Sequence, residues 1–344
     1  MNAEDQKNKD LIMGNNKNQR NKPKKIITDN EDINNNLLGN SLDNKNINGN
    51  NHNKHFQNIL DSNNNKNKNN NNNIIKNDNQ NYINQIKSVY DKSPKLNIEI
   101  LNSYIIPRGF LIQIDPLGMI SNSLRNIRDG IVYFGFFSPE EENQKEENNN
   151  NNKIDFLIKP KDDNYESRFI GQHFQIKFNP YDLKYYIKDL GFGYGTFAKL
   201  TKETMIKDNY LINIGNSYIV CSYGIEEKED IDNKEKKILN IKIFDNSKRN
   251  DILCDPNNNK KYLIGRDVKC DIIIDDNLLS RIHCTIYFND ELGSWFIYDG
   301  IIKNKNGEFK YSTNGTWLFL IEDTLIDDDM IFKANQNLYQ CKYV

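Results

Sequence analysis

The chain has 344 residues, with 46 Lys and Arg against 48 Asp and Glu, for a formal net charge of −2. A balance this even gives no overall basic field to draw it to nucleic acid or to an anionic membrane. No apolar run is long enough for a transmembrane helix, no apolar signal segment follows Met1, and Asn2 stands where N-myristoylation needs glycine.

Residues 1–95 are dominated by Asn, Lys and Asp, as in the run Asn69 to Asn73, and hold three aromatics, Phe56, Tyr82 and Tyr90. Such a composition cannot bury enough apolar surface to offset backbone ordering, so a disordered tail is expected. Asn-rich tracts can also associate through amide ladders. Lys22, Pro23, Lys24 and Lys25 form a small basic cluster of the kind that nuclear import reads. Thr28, the one Thr before Thr196, precedes Asp29, Asn30, Glu31 and Asp32, an acidic run that suits acidophilic kinases.

From Ile98 onward β-branched and aromatic residues rise sharply. A first block over residues 96–225 carries strand-like runs at Phe110–Ile114, Ile131–Phe134, Phe174–Phe178, Tyr185–Ile187 and Tyr218–Val220. The acidic, Asn-rich stretch from Ser138 to Lys153 reads as a long surface loop within it. Residues 226–237 are charged with one apolar residue, which suits a linker.

A second block follows over residues 238–344. Leu239, Ile241 and Ile243 alternate with Asn240 and Lys242, and further runs lie at Tyr262–Ile264, Asp271–Ile274, Cys284–Phe288 and Trp295–Tyr298. Short strands at this spacing, with Gly, Asp and Asn turns and no helical period between them, predict an all-β fold: antiparallel β-sandwiches, two in tandem.

The five cysteines (Cys221, Cys254, Cys270, Cys284, Cys341) are scattered without a CxxC pair, as buried free thiols of a reducing compartment would be. An intracellular protein, cytoplasmic or nuclear, is expected. His52, His55, His173 and His283 show no metal-ligand spacing, and no cofactor motif appears. Gly191, Gly193 and Gly195 have the wrong spacing for a GxGxxG loop.

The second block holds Gly265-Arg266, then Ser280-Arg281-Ile282-His283, then Ser312-Thr313-Asn314-Gly315-Thr316. Over about a hundred residues this ordered set resembles the forkhead-associated (FHA) family signature of Gly-Arg, Ser-x-x-His and Asn-Gly. The resemblance implies a β-sandwich that binds phosphothreonine through the loops at one end. A phosphate dianion needs charge-assisted, forked donors, which Arg266 supplies. Ser280 offers a hydroxyl to a second phosphate oxygen, and Arg281 a further charge. By resemblance, Asn314 holds the peptide backbone with its amide, and Thr313 lines the wall near the phosphothreonine methyl group. Gly265 and Gly315 permit tight backbone, and His283 is expected to hold the loops rather than act as a ligand or base. Ser280 and His283 lack the setting of a catalytic nucleophile and base, so no catalytic residue is expected.

The first block repeats the order with the contact residues replaced. Phe134-Gly135-Phe136 falls on Ile264-Gly265-Arg266, Ile170-Gly-Gln-His173 on Ser280-Arg-Ile-His283, and Tyr194-Gly195-Thr196 on Asn314-Gly315-Thr316. The scaffold residues Gly135, His173, Gly195 and Thr196 remain. Arg, Ser and Asn become Phe136, Ile170 and Tyr194, as in a degenerate FHA-like domain. The expected function is therefore a non-enzymatic, phosphothreonine-dependent adaptor in signalling, self-associating if Thr28 is phosphorylated. Alternatives are a regulatory subunit of a kinase or phosphatase complex, or a nucleic-acid-associated protein acting through its Lys/Asn-rich tail.

Overall fold

The computed structural model describes residues 78–138, 153–161, 165–224, 237–245, 249–302 and 308–344. The Lys22–Lys25 cluster, Thr28, most of the expected loop and nearly all of the expected linker lie outside them.

The described chain opens on a helix, α1 (78–89), followed by a 3-10 turn at Tyr90–Lys92. This corrects the tail boundary at residue 95. Tyr82 and Ile86 lie four residues apart on one face of α1. Ile86 is fully buried in a core, and the Tyr82 hydroxyl donates to the Phe178 carbonyl. Averaging composition over ninety-five residues hides so short an anchor.

The strands of the first block are β1 (Leu96–Asn102), β2 (Leu111–Asp115), β3 (Gly118–Met119), β4 (Ile131–Phe136), β5 (Phe156–Leu157) and β6 (Gly171–Asn179). Next come β7 (Lys184–Asp189), β8 (Thr196–Lys199), β9 (Thr204–Met205), β10 (Tyr210–Ile214) and β11 (Ser217–Tyr223). The second block supplies β12 (Leu239–Phe244), β13 (Arg249–Cys254), β14 (Lys261–Gly265), β15 (Ile272–Ile273), β16 (Cys284–Asn289) and β17 (Ser294–Asp299). A small hairpin, β18 (Ile301–Ile302) and β19 (Phe309–Lys310), precedes β20 (Thr316–Phe319), β21 (Thr324–Leu325), β22 (Ile331–Ala334) and β23 (Asn337–Tyr343). All pairs are antiparallel except the short parallel contacts β4–β5 and β14–β15.

The period-2 pattern decides which face is buried. Leu96, Ile98 and Ile100 of β1, and Leu239, Ile241 and Ile243 of β12, point into cores while their neighbours stay partly open.

One eleven-stranded sheet, ordered β13-β12-β11-β10-β20-β8-β22-β23-β1-β2-β3, runs through the whole molecule. Two five-stranded sheets, β21-β7-β6-β4-β5 and β15-β14-β16-β17-β9, each face part of it, making two sandwiches. The blocks have exchanged their last strands. After β8 the chain crosses over, so β9 pairs with β17, β10 with β20, and β11 with β12. After β20 it crosses the other way, so β21 pairs with β7, β22 with β8, and β23 with β1. One core accordingly unites residues between Ile86 and Ala198 with Leu320, Ile326, Phe332, Tyr339 and Cys341. The other runs from Leu200 to Ile297. The linear blocks 96–225 and 238–344 are thus not the folded units, because each lends its closing strands to the other.

Equivalent bonds recur on both sides of the crossover. Leu200 N donates to Thr316 O at 2.8 Å and Leu320 N to Thr196 O at 3.0 Å. Tyr223 Oη donates to Ile206 O at 2.5 Å, and Tyr343 Oη to Ile326 O at 2.9 Å. The equivalence fails where it helps to fix the arrangement. Lys202 pairs with Asp327 and Lys207 with Glu322, so copy one brings the cations and copy two the anions. On the outer face of the large sheet, Lys333 donates to Asn213 Oδ1 at 2.5 Å and lies over the rings of Phe197 and Trp317. Burial pushes the Lys333 ammonium down to about 8. Asn213 occupies the matching place in copy one. Pairing two like copies would set two buried ammonium groups together, which desolvation opposes.

Candidate functional site

At one end of the second sandwich, the loops after β14, before β16 and before β20 surround a groove of about 530 Å³. Arg266, Ser280, Arg281, Thr313 and Asn314 all line it, so the structure brings together every contact residue singled out in the sequence. Arg266 is exposed; its Nε donates to Leu279 O at 2.8 Å, which leaves the terminal guanidinium nitrogens to the groove. The Ser280 hydroxyl accepts from Thr313 N at 2.9 Å and lies 3.3 Å from Thr313 Oγ1. Asn314 Nδ2 donates to Leu278 O at 2.7 Å, so the amide is pinned, and among the described residues no group donates to its Oδ1.

Below the groove, His283 is fully buried. Its Nδ1 accepts from Ser280 N at 3.2 Å, and its Nε2 lies 3.0 Å from Gly315 O, which assigns the Nε2–H tautomer. Burial holds its imidazole below the usual histidine range. One neutral ring therefore ties two binding loops together. Asp299 fixes the third loop: its carboxylate accepts from Ser312 N (3.0 Å), Ser312 Oγ (2.7 Å) and Thr316 Oγ1 (2.6 Å). Gly265 is required by proximity, since a Cβ there would lie 2.3 Å from Arg281 O. Gly315 has φ +80° and packs against Lys199 of the other copy.

The matching end of the first sandwich keeps the frame but narrows the groove to a cavity of about 60 Å³ beside Tyr165, Phe169 and Tyr194. A Cβ on Gly135 would meet Gly171 O at 2.1 Å, the close approach seen at Gly265. His173 is buried, with Nε2 2.7 Å from Phe169 O and Nδ1 2.7 Å from Asn335 Nδ2; burial pushes it down to about 4. Phe136 packs edge-on to Tyr165 and Phe169, with centroids 5.0 and 5.7 Å apart, and Phe169 lies 5.4 Å from Tyr194. These rings fill the space that Arg266 and Asn314 leave open in the other copy. Asp189 stands where Asp299 does, but Phe192 replaces Ser312. One of its oxygens accepts from Gly191 N at 2.8 Å and the other is buried without a hydrogen bond. Burial pushes that carboxyl up to about 6.

Lys269, Lys310, Leu278 and Tyr311 also line the groove, though no motif marked them. Only the loop geometry brings them there. Among the described residues no group of three or more His, Cys, Asp or Glu side chains could hold a metal, and no helix is long and apolar enough to cross a membrane.

Residues 262–332 match the FHA domain model. The chain carries an FHA domain. FHA domains are non-catalytic modules that bind phosphothreonine in protein–protein interactions. The matched segment begins in β14, spans the three groove loops and ends in β22, beyond the crossover. Its last residues therefore complete the sandwich that lacks the groove. A search of the curated proteins found no match. Among solved structures, the Slr1951 protein from Synechocystis sp. is 22% identical over 29% of this chain and 89% of its own, with a TM-score of 0.16.

Proposed function

We propose that the groove between the β14–β15, β15–β16 and β19–β20 loops binds phosphothreonine in partner proteins, and that the chain is an adaptor with no catalysis of its own. The convergence of Arg266, Ser280, Arg281, Thr313 and Asn314 on one groove carries this reading. Arg266 presents a fork to two phosphate oxygens. The Ser280 hydroxyl turns from Thr313 Oγ1 to a third oxygen, and Arg281 adds charge at the rim. Asn314 Oδ1 accepts from the backbone of the bound segment, and the Thr313 side chain packs beside the phosphothreonine methyl group.

The first copy reads as a degenerate version of the same module. Phosphate placed there would be desolvated against Phe136, Ile170 and Tyr194, and the nearby Arg168 is already paired with Glu166 and laid over the Tyr194 ring. Its work is structural: β8, β10 and β11 brace the strand and sheet that carry the groove. Five buried, unbridged cysteines suit a reducing compartment. Residues 78–344, titrated with a phosphothreonine peptide and its unphosphorylated twin, should bind only the first. Equal binding of both would reject the reading.

A further inference from the structure

The groove carries more positive charge than one phosphate needs. Its lining holds four cations, Arg266, Lys269, Arg281 and Lys310, and one acid, Asp267. Among the described residues none of the four cations forms an ion pair. Asp267 is occupied in the loop turn, where its Oδ1 accepts from Lys269 N at 3.0 Å. Asp271, Asp275 and Asp276 lie outside the lining; Asp271 pairs with Lys260, and Asp276 is taken by Asn216 N at 2.7 Å and Leu278 N at 2.8 Å. The lining thus sums to three positive charges, whereas phosphothreonine brings about −1.5 to −2. Roughly one positive charge is left over in a chain whose total is −2. Lys269 and Lys310, both exposed, lie outside the set assigned to the phosphate.

We infer that the ligand is an acidic phosphothreonine segment, with at least one further carboxylate close to the phosphorylated residue, held by Lys269 and Lys310. The inference rests on the phosphothreonine reading and narrows it to a class of partner. The chain itself contains a sequence of this class, Thr28 followed by Asp29, Glu31 and Asp32, and that sequence makes a convenient probe.

The test uses residues 26–34 as a peptide phosphorylated at Thr28, titrated by fluorescence anisotropy into the full chain carrying Thr28→Ala. A second phosphopeptide replaces Asp29, Glu31 and Asp32 by Asn, Gln and Asn, so that shape is kept and charge removed. The acidic peptide should bind about fivefold tighter at 0.1 M salt, the worth of one or two rim charge pairs. The advantage should fall below about twofold at 1 M salt, where the Debye length is about 3 Å. Lys269→Ala with Lys310→Ala should abolish the advantage while leaving the neutral phosphopeptide within about twofold of its affinity for the unmutated groove, which also shows that the double variant is folded. Equal affinities for the two phosphopeptides would overturn the inference and leave the phosphothreonine reading standing. An advantage that survives the double variant would also overturn it. Failure of both phosphopeptides to bind would instead remove the reading on which it rests.

Discussion

His283 and His173 occupy matching places, buried and bonded to backbone at the foot of three loops, yet one lies under a cationic groove and the other under a plug of aromatic rings. The difference teaches that frame and recognition are separable in this fold. Glycines at close approach, a neutral imidazole and a carboxylate below the third loop build the end of the sandwich. The side chains on top differ: Arg266, Ser280 and Asn314 line an open groove, whereas Phe136, Ile170 and Tyr194 stand in their places in the other copy. Asp189 records the change: without a hydroxyl like that of Ser312, its carboxyl is pushed up to about 6 by burial.

The largest effect that would sharpen this comparison comes from Phe332, which follows the groove in sequence but is buried in the core of the other sandwich. Phe332→Ala should cost about 3–5 kcal/mol through the cavity it leaves. Amide hydrogen exchange should speed up first in residues 96–189. Faster exchange confined to residues 239–299 would mean that the strands had not crossed.

Next in size is Arg266→Ala, which should weaken phosphopeptide binding by about 2–3 kcal/mol because a doubly charged group loses its fork. The fold should persist, since the side chain is exposed. Phe136→Ala should do the reverse, lowering the melting temperature and leaving phosphopeptide affinity unchanged in the protein that remains folded.

The buried imidazole of the silent copy supplies a pH test. His173 is held at about 4 against an ordinary value of 6.5. Between those values the unfolded chain binds a proton that the folded chain refuses, so stability is lost as pH falls through that window. His173→Gln removes this linkage. The stability gap between the native protein and His173→Gln, read from urea midpoints, should therefore shrink by roughly 2–3 kcal/mol from pH 7 to pH 4. A constant gap would place the shift elsewhere.

Smallest is the methyl group. With the Thr313 wall in place, phosphothreonine should exceed phosphoserine by roughly 1–3 kcal/mol in matched peptides. Equal affinities would reduce recognition to charge alone.

Much of this was legible in the sequence. The alternation at Leu239, Ile241 and Ile243 marked β12, and Gly265-Arg266, Ser280-x-x-His283 and Asn314-Gly315 marked loops that do converge. The strand exchange was not legible. Ile206 and Ile326, or Tyr223 and Tyr343, make the same bonds in the two copies, so their pattern cannot say which sandwich each completes. Only unlike pairs such as Lys333 with Asn213 carry that information, and such a pair is seen only once the strands are side by side. Helix α1 was missed for another reason: Tyr82 and Ile86 are two anchors in a segment otherwise rich in Asn.

Calorimetric stoichiometry tests the central claim, one live groove beside one filled copy, most directly. Residues 78–344 titrated with an acidic phosphothreonine peptide should bind one peptide per chain, and Arg266→Ala should remove that binding while Phe136→Ala leaves it. Two peptides per chain, or binding that survives Arg266→Ala and disappears with Phe136→Ala in a folded protein, would contradict it.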